Sequence, residues 1–441
     1  MAFTKILPAG ISTTGTVTLE RVETTNSIVS LGSTNQLYIN TDTPTVRPTL
    51  DLNFERDQRL DSRITFSRDS IATYLGSDGL IKTAQPNIPR FEFDTDGNCL
   101  GLLIEESRTN LVTYSEDFNN VVWIKNVNLS SVPDSPNNTN SYLAIPTGSN
   151  TTYYLNYNTT TSNSAASLSI YAKAGGYDKL LLWSNQGGGY GFNLSTGQTF
   201  SVGNITDSLG ASIESVGNGW YRCSITVSSF SRFNPYILNS ETYETWTPDG
   251  TSGIYLWGAQ LEAGSFATSY IPTSGSAVTR SADNASITGT NFTDFYNQSE
   301  GSFYSDIKLN PNFPVSGKAS ISFTLSDNSF NNRITLASST GSTAFNADVN
   351  ISGTLYRAVI GNYTSGSSSI RTSIGYKSAD TAGSFDGESP VSSSPPGTLP
   401  LLTRADIGKD HTNFNHLCGY IRRITYYPQR LSNAQLQNLT S

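Results

Sequence analysis

The chain has 441 residues, enough for about three domains of ordinary size. Lys and Arg total 27 against 35 Asp and Glu, so the net charge is −8, and only 14% of the residues are charged. A nucleic-acid-binding surface needs a dense Lys and Arg footprint, so we predict no nucleic-acid partner. The chain is 36% hydrophobic and 11% aromatic, which is enough to fill cores and excludes charge-driven disorder. No stretch approaches 18 consecutive apolar residues, so we also predict no membrane insertion.

Residues 1–50 are predicted to form an extended arm. Short segments with strand patterns at 16–22, 27–29 and 36–39 are separated by turn residues. Fifty residues with so few large apolar side chains cannot close a core of their own. We therefore expect this arm to pack on another chain or to stay mobile.

Residues 51–113 contain two hairpin signals and are predicted to be a connecting segment. Asp78-Gly79 and Asp96-Gly97 each separate two short apolar runs. The Asp-Gly pair tolerates the positive φ angles of a type I′ turn, whose twist suits the flanking strands.

The remainder of the chain predicts two β-sandwiches, at 114–285 and 286–441. Apolar residues alternate along 167–172 and 220–227, and again along 303–309 and 319–325, with turn residues between the segments. Many short strands without a helical period indicate sandwiches or jelly rolls, so the predicted fold class is all-β. A short helix is expected near the end, because Ser432 and Gln435 have the spacing of a capping box.

Several stretches resemble segments of known protein families. Residues 66–74, 89–91 and 101–111 resemble a segment that recurs in tailed-bacteriophage virion proteins. There it leads into a carbohydrate-binding-module-like jelly roll, and the closing pattern of that domain is similar to residues 256–264, 268–273 and 278–283 here. Residues 419–424 and 430–436 are similar to the last strand and helix of a concanavalin/laminin-G-like sandwich. Residues 8–19 are similar to the starts of marine phage fibre and appendage proteins.

The resemblance implies a structural protein of the virion, made in the host cytoplasm. We predict a tail fibre that binds other virion proteins through residues 1–50 and presents its sandwiches to glycans on the host surface. Appendages of such particles are usually symmetric, and short strands can intertwine around a threefold axis, so a homo-trimer is expected. Two alternatives stay open: a capsid decoration or scaffold protein without a ligand, and a polysaccharide-degrading enzyme.

Aromatic side chains are the strongest candidates for a binding site. Sugars present apolar C–H faces that stack on Trp and Tyr, while nearby polar groups pair with their hydroxyls. In the middle domain, the predicted glycan-binding residues are Trp246, Tyr243, Tyr190 and Tyr236. Trp183, Trp220 and Trp257 are expected to lie in the core.

The sequence offers little for catalysis, so we predict a protein that is not an enzyme. It carries no Gly-x-Ser-x-Gly elbow, and its two histidines, His411 and His416, fall on one C-terminal loop. Glu105 and Glu106 are adjacent and point to opposite faces of a strand, so they cannot flank one glycosidic bond. Glu262 is expected to bond to backbone or to an arginine. The three cysteines show neither metal-ligand spacing nor a disulfide pattern, and we predict no cofactor and no metal at a defined position.

Overall fold

The computed structural model describes residues 43–149, 151–162, 164–183, 188–203, 205, 208–310, 319–364, 367, 369–412 and 414–441, with three short strands before them. These are β1 (Val22–Glu23), β2 (Ile28–Leu31) and β3 (Leu37–Ile39), which pair antiparallel in that order. The rest of the predicted arm up to residue 42 lies outside the described residues. The last residues of the arm, 43–50, lie on the C-terminal sandwich, where the Thr49 amide donates a hydrogen bond to the Tyr426 carbonyl at 3.0 Å.

Seven strands and one helical turn follow the arm. They are β4 (Leu50–Asn53), α1 (Phe54–Asp57), β5 (Thr65–Ser67), β6 (Ala72–Leu75), β7 (Ile81–Ala84), β8 (Phe91–Phe93), β9 (Cys99–Ile104) and β10 (Arg108–Asn110). The predicted hairpins are confirmed, since β6 pairs with β7 and β8 with β9. The type I′ turn is wrong: in each Asp-Gly pair only the glycine, Gly79 or Gly97, has a positive φ angle.

The middle domain is a sandwich of two antiparallel sheets. Its strands are β11 (Trp123–Lys125), β12 (Val127–Val132), β13 (Ser141–Pro146), β14 (Tyr153–Ser162), β15 (Ala166–Gly175), β16 (Lys179–Trp183), β17 (Gly188–Asn193), β18 (Gln198–Gly203), β19 (Ser208–Gly217), β20 (Trp220–Val227), β21 (Phe230–Phe233), β22 (Pro235–Leu238) and β23 (Gly253–Ala263). One sheet has the order β12-β13-β23-β15-β20-β19. The other has the order β11-β14-β22-β16-β17-β18, with β21 also paired to β14. We call the first of these the junction sheet and the second the outer sheet.

The C-terminal domain is a second, larger sandwich. The remaining elements are β24 (Val278–Arg280), β25 (Asn284–Thr288), α2 (Thr290–Thr293), β26 (Glu300–Leu309), β27 (Ile321–Ser326), β28 (Arg333–Ser338), β29 (Ala344–Ile351), β30 (Thr354–Asn362), β31 (Ile370–Lys377), β32 (Asp380–Phe385), β33 (Val391–Ser393), β34 (Arg404–Ile407), β35 (Gly419–Tyr427) and α3 (Asn433–Thr440). The all-β class with two sandwiches is confirmed. The capping box at Ser432 and Gln435 is confirmed as well, at the start of α3.

The C-terminal sandwich differs from expectation in where its strands come from. Its two sheets have the orders β33-β32-β31-β26-β35-β9-β8, with β4 also on β35, and β30-β29-β28-β27-β34-β25-β5. Four of these strands, β4, β5, β8 and β9, come from residues 51–113, the segment predicted as a connection. Of these, β4 begins one residue earlier, at Leu50. Leu50, Leu52, Phe54, Leu102 and Ile104 lie in the same core as the strands after residue 284. The middle domain is therefore inserted into the C-terminal sandwich, whose core requires both parts of the chain.

A buried ion network joins the two sandwiches. Arg90 reaches Asp283 at 2.5 Å and Glu105 at 2.8 Å, and Arg68 reaches the other oxygen of Asp283 at 3.0 Å. Arg280 lies 3.5 Å from Glu105. The side chains of Arg68, Arg90, Arg280 and Asp283 are fully buried. The middle domain closes the network through Ser269, whose amide donates to Glu105 at 2.8 Å and whose hydroxyl donates at 2.7 Å.

The charges in this network hold one another in the ionised state. Burial raises the pKa of the Glu105 carboxyl, but Arg280, Arg90 and the two hydrogen bonds from Ser269 outweigh burial and lower that pKa to about 2. Buried charges are tolerated only where partners and hydrogen bonds compensate for lost hydration. Each member of the network therefore depends on the others.

Replacement of Asp283 with Asn should strongly destabilise the protein. The change leaves Arg68 and Arg90 buried without their shared carboxylate, and a broken buried pair costs about 3–5 kcal/mol. The free energy of unfolding, measured by urea denaturation, tests this. Asp57→Asn, in the exposed pair with Arg56, is the control and should leave the midpoint unchanged. Equal midpoints for wild type and Asp283→Asn would contradict the role assigned to the network.

Candidate functional site

The outer sheet presents a continuous row of side chains on the face opposite its core. Tyr154 pairs with Tyr236, Tyr236 with Leu181, Leu181 with Gly191, and Gly191 with Phe200 across five strands. The residues between them along the strands, such as Tyr153, Leu180 and Ile237, face the core. The period-2 alternation of a β-strand therefore divides the aromatic residues between the two faces.

Four aromatic rings cluster at one end of this row. The Trp183 ring centroid lies 4.5 Å from that of Tyr243 and 5.8 Å from that of Tyr236. Tyr236 lies 5.4 Å from Tyr243 and 5.5 Å from Tyr154. Tyr243 is 38% exposed, whereas the other three rings are partly buried. We call Tyr154, Trp183, Phe200, Tyr236 and Tyr243 the aromatic face.

Two glycines lie on this face beside Trp183. Gly189 and Gly191 occupy the outward positions of β17, opposite Trp183 and Leu181. A Cβ atom on Gly191 would lie 2.1 Å from the Phe200 ring, and one on Gly189 would lie 2.3 Å from the Leu182 carbonyl oxygen. Any larger residue would therefore clash at these two positions, and both glycines are buried, with the Phe200 ring lying against Gly191.

Polar groups stand next to the rings. Asn193 donates to Glu241 at 3.2 Å, and Glu244 accepts from Ser240 and Thr242, each at 3.1 Å. Burial, with a smaller contribution from the nearby Tyr243 hydroxyl, raises the pKa of Tyr236 to about 12. This phenol therefore stays protonated. Aromatic rings flanked by carboxylate, amide and hydroxyl groups can stack on a sugar ring and bind its hydroxyls.

Two of the four predicted residues, Tyr236 and Tyr243, lie together on the aromatic face. Trp246 requires a correction: it is only 8% exposed and packs in the core, with its ring 5.0 Å from Tyr153 and 4.8 Å from Tyr177. The Trp246 amide donates a hydrogen bond to the Thr151 carbonyl, and this bridge holds the loop segment against the sheet edge. A buried ring cannot stack on a ligand at the surface.

Tyr190 also requires a correction. It pairs with Leu182 and packs against the core, because it stands one position from the outward-facing Gly189 and Gly191. The sequence pattern gave no sign of Tyr154 and Phe200 as binding residues, and it predicted that Trp183 lies in the core. Alternation marks two faces of each of these strands, but does not say which face a second sheet covers.

The carboxylates considered for catalysis are engaged with other groups. Glu105 belongs to the ion network, and Glu106 pairs with Arg108 at 2.6 Å. Glu262 accepts from the Thr268 amide at 2.9 Å, in line with the backbone bond expected for it. Burial lowers the pKa of His416 to about 4, so its imidazole is neutral at pH 7.

The described residues contain no group of three or more His, Cys, Asp and Glu side chains placed to hold a metal ion. All three cysteines are buried thiols. Within the same part of the chain, no helix has the length and apolar character needed to span a membrane.

No family model and no curated protein sequence matches the chain. Among solved structures, it is similar to domains LG4-5 of the mouse laminin α1 chain, with 8% identity, 73% of this chain and 88% of that chain covered, and a TM-score of 0.21. It is also similar to a Trypanosoma rangeli sialidase in complex with 2,3-difluorosialic acid, with 9% identity, 71% and 62% covered, and a TM-score of 0.28. The LG1-3 region of the laminin α2 chain shows 10% identity, 63% and 64% covered, and a TM-score of 0.24. The chain thus spans less than two thirds of the last two structures.

A concave region lies between the two sandwiches. This junction cavity has a volume of about 310 Å³. Tyr171, Glu214 and Arg222 line it from the junction sheet, while Glu92 and Tyr420 line it from the C-terminal sandwich. Burial, and secondarily the charge of Glu105, raises the pKa of Glu92 to about 7. The Tyr420 hydroxyl donates to this carboxyl at 3.4 Å.

Glu92→Gln should change how stability depends on pH. Folded Glu92 keeps its proton up to about pH 7, whereas the unfolded chain releases it near 4.5, so the wild type loses stability across this interval. Gln imitates the protonated form and does not titrate. We expect similar melting temperatures near pH 4.5 and a variant that is more stable by about 2–4 °C above pH 7. A difference that stays constant from pH 4.5 to 8 would contradict this assignment.

Proposed function

We propose that this protein is a structural component of a tailed-phage virion, a tail fibre that binds glycans of the host surface through the aromatic face. The observation that carries the binding proposal is the cluster of Trp183, Tyr236 and Tyr243 on the side of the outer sheet that faces away from its core. Tyr243 is 38% exposed there, while Trp183 and Tyr236 also pack against the buried Leu181, Val202 and Leu238.

The proposed attachment rests on the N-terminal arm. Its composition cannot support a separate core, and its segment 8–19 is similar to the starts of phage fibre and appendage proteins. Residues 43–53 lie on the C-terminal sandwich through Thr49, Leu50 and Leu52, so the preceding residues start from a fixed position on that domain. We propose that they bind other virion proteins and sister subunits, with a trimer as the assembly.

Glycan binding is tested with Tyr243→Ala. A glycan array made from host surface polysaccharides identifies a ligand, and titration calorimetry measures its affinity. One stacked ring contributes about 1.4 kcal/mol to binding, so its loss should weaken binding by about tenfold. Phe330→Ala, which removes an exposed aromatic ring from the other sandwich, is the matched control and should keep wild-type affinity.

Three outcomes would contradict part of this proposal. Unchanged affinity in Tyr243→Ala would place the glycan elsewhere. An array without signal, with particles that adsorb after deletion of both sandwiches, would favour a decoration or scaffold protein. Release of reducing ends from the polysaccharide would favour a degrading enzyme.

The assembly proposal is tested by removing residues 1–42, which leaves the strands of both sandwiches intact. Light scattering should give the mass of a trimer for the full chain and of a monomer for residues 43–441. A full chain that is monomeric, or a shortened chain that stays trimeric, would contradict a role of the arm in assembly.

A further inference from the structure

We propose that residues 239–245 form a clamp on the outer sheet, which opens to admit a sugar ring between Trp183 and Tyr243. This inference rests on the proposed function and adds how the glycan enters the aromatic face. We call residues 239–245 the clamp segment. The structure describes all seven of its residues, and none of them belongs to a strand.

Both ends of the clamp segment are fixed. Leu238, directly before it, pairs with Lys179 in the outer sheet and is buried. Trp246, directly after it, packs in the core, and its amide donates to the Thr151 carbonyl. Movement is therefore confined to the residues between two anchored positions, which is the arrangement of a hinged loop.

Two side chains of the clamp segment reach the outer sheet. The Tyr243 ring centroid lies 4.5 Å from that of Trp183 and 5.4 Å from that of Tyr236. The Glu241 carboxylate accepts a hydrogen bond from the Asn193 amide group at 3.2 Å, at an exposed position. These are contacts between side chains, which separate without disrupting the backbone pairing of the sheet.

The clamp segment is also organised by its own side chains. The Ser240 and Thr242 hydroxyls both donate to the Glu244 carboxylate at 3.1 Å. Residues 241–245 are exposed to solvent. An exposed segment that lies outside strand pairing and carries its own bonds opens at a much lower free-energy cost than the strands beneath it.

The two rings stand too close together for a sugar to lie between them without movement. Their centroids are 4.5 Å apart. A sugar ring between them makes van der Waals contact with each, at about 3.5–4.0 Å per contact, so the rings must stand about 7–8 Å apart. The clamp segment must therefore move outwards by about 3 Å, carrying Tyr243 away from Trp183.

The lower ring of the clamp keeps its place during this movement. Trp183 belongs to β16 and packs against the cluster of buried Leu181, Val202 and Leu238. These three residues come from three different strands of the outer sheet, β16, β18 and β22. Trp183 is thus held by the sheet, whereas Tyr243 belongs to the segment that moves.

Opening also supplies polar partners for a sugar. In the closed arrangement the Asn193 amide group and the Glu241 carboxylate bond to each other. When the clamp segment moves out, this bond breaks, and both groups lie at the mouth of the opened site. The amide can then donate to sugar hydroxyls and the carboxylate can accept from them, while the two rings stack on the C–H faces.

The test joins the clamp segment to the sheet by a reversible bridge. Asn193→Cys together with Glu241→Cys places two thiols where the side chains meet. A one-carbon bis-methanethiosulfonate linker joins them until a reducing agent removes it, and mass spectrometry confirms the bridge. The three native cysteines are buried, so the linker reacts with the introduced pair. The same bridge between Asp78→Cys and Lys82→Cys, an exposed pair in the β6–β7 hairpin, is the matched control.

Opening is measured first without a ligand, by acrylamide quenching of Trp183 fluorescence. The other four tryptophans are at most 8% exposed, and Trp183→Phe in the same variant gives their background. The bridge should lower the quenching constant of Trp183 by about threefold, and the control bridge should leave it unchanged. Equal constants with and without the bridge would overturn the clamp.

Binding is then measured by titration calorimetry with maltohexaose, cellohexaose and chitohexaose. The bridged protein should bind the preferred oligosaccharide about tenfold more weakly than the same protein after reduction. Equal affinities in the two states, with weaker binding in Tyr243→Ala, would overturn the clamp and keep the aromatic face, because the sugar would then stack on the outer side of Tyr243. No binding in either state, to these oligosaccharides or to the glycans of the array, would contradict the proposed function and the clamp together.

Discussion

The buried ion network at the junction is the interaction on which the rest of the structure depends. Arg68, Arg90 and Arg280 share two carboxylates, Glu105 and Asp283, away from solvent. These residues lie at the ends of strands on either side of the inserted middle domain in the chain. The network therefore fixes the two points at which the chain leaves the C-terminal sandwich and returns to it.

This arrangement decides which surfaces are available for binding. The junction sheet turns Tyr171, Trp220 and Trp257 towards the closing segment at Tyr270, and Ile81 of the β6–β7 hairpin packs against the same cluster. Large aromatic residues on that sheet are therefore buried although they lie outside the sandwich core. On the outer sheet, the aromatic residues pack around the buried Leu181, Val202 and Leu238, and Tyr243 remains 38% exposed to a ligand. One domain thus uses the same kind of side chain for docking on one face and for proposed recognition on the other.

The junction cavity follows from the same geometry. Two domains that meet through fixed ion pairs do not fill all the space between two curved sheets, and the remaining volume is lined by groups from both. Glu92 is shielded there, close to the negative charge of Glu105, which explains why its proton is held so tightly. A covalent linker alone would leave this space variable, whereas the ion network gives it a defined shape.

The sequence by itself determined the local features of this protein. Alternation along 167–172 and 220–227 identified strands, the Asp-Gly pairs identified hairpins, and Ser432 with Gln435 identified the start of the last helix. Each of these depends on residues close together in the chain, since strand period, turn conformation and capping are short-range effects.

Only the tertiary structure decided which sheet each strand joins and which faces are covered. Asp51 meets Arg423 across 372 positions of sequence, and this pairing places β4 in the C-terminal sandwich. Trp246 reads as a loop residue from its neighbours, yet Tyr153 and Tyr177 enclose it. Arg68, Arg90, Glu105, Arg280 and Asp283 come from segments far apart in the sequence, and their shared ion network appears only on folding. Burial and ion pairing depend on which distant segments approach, and no local pattern contains that information.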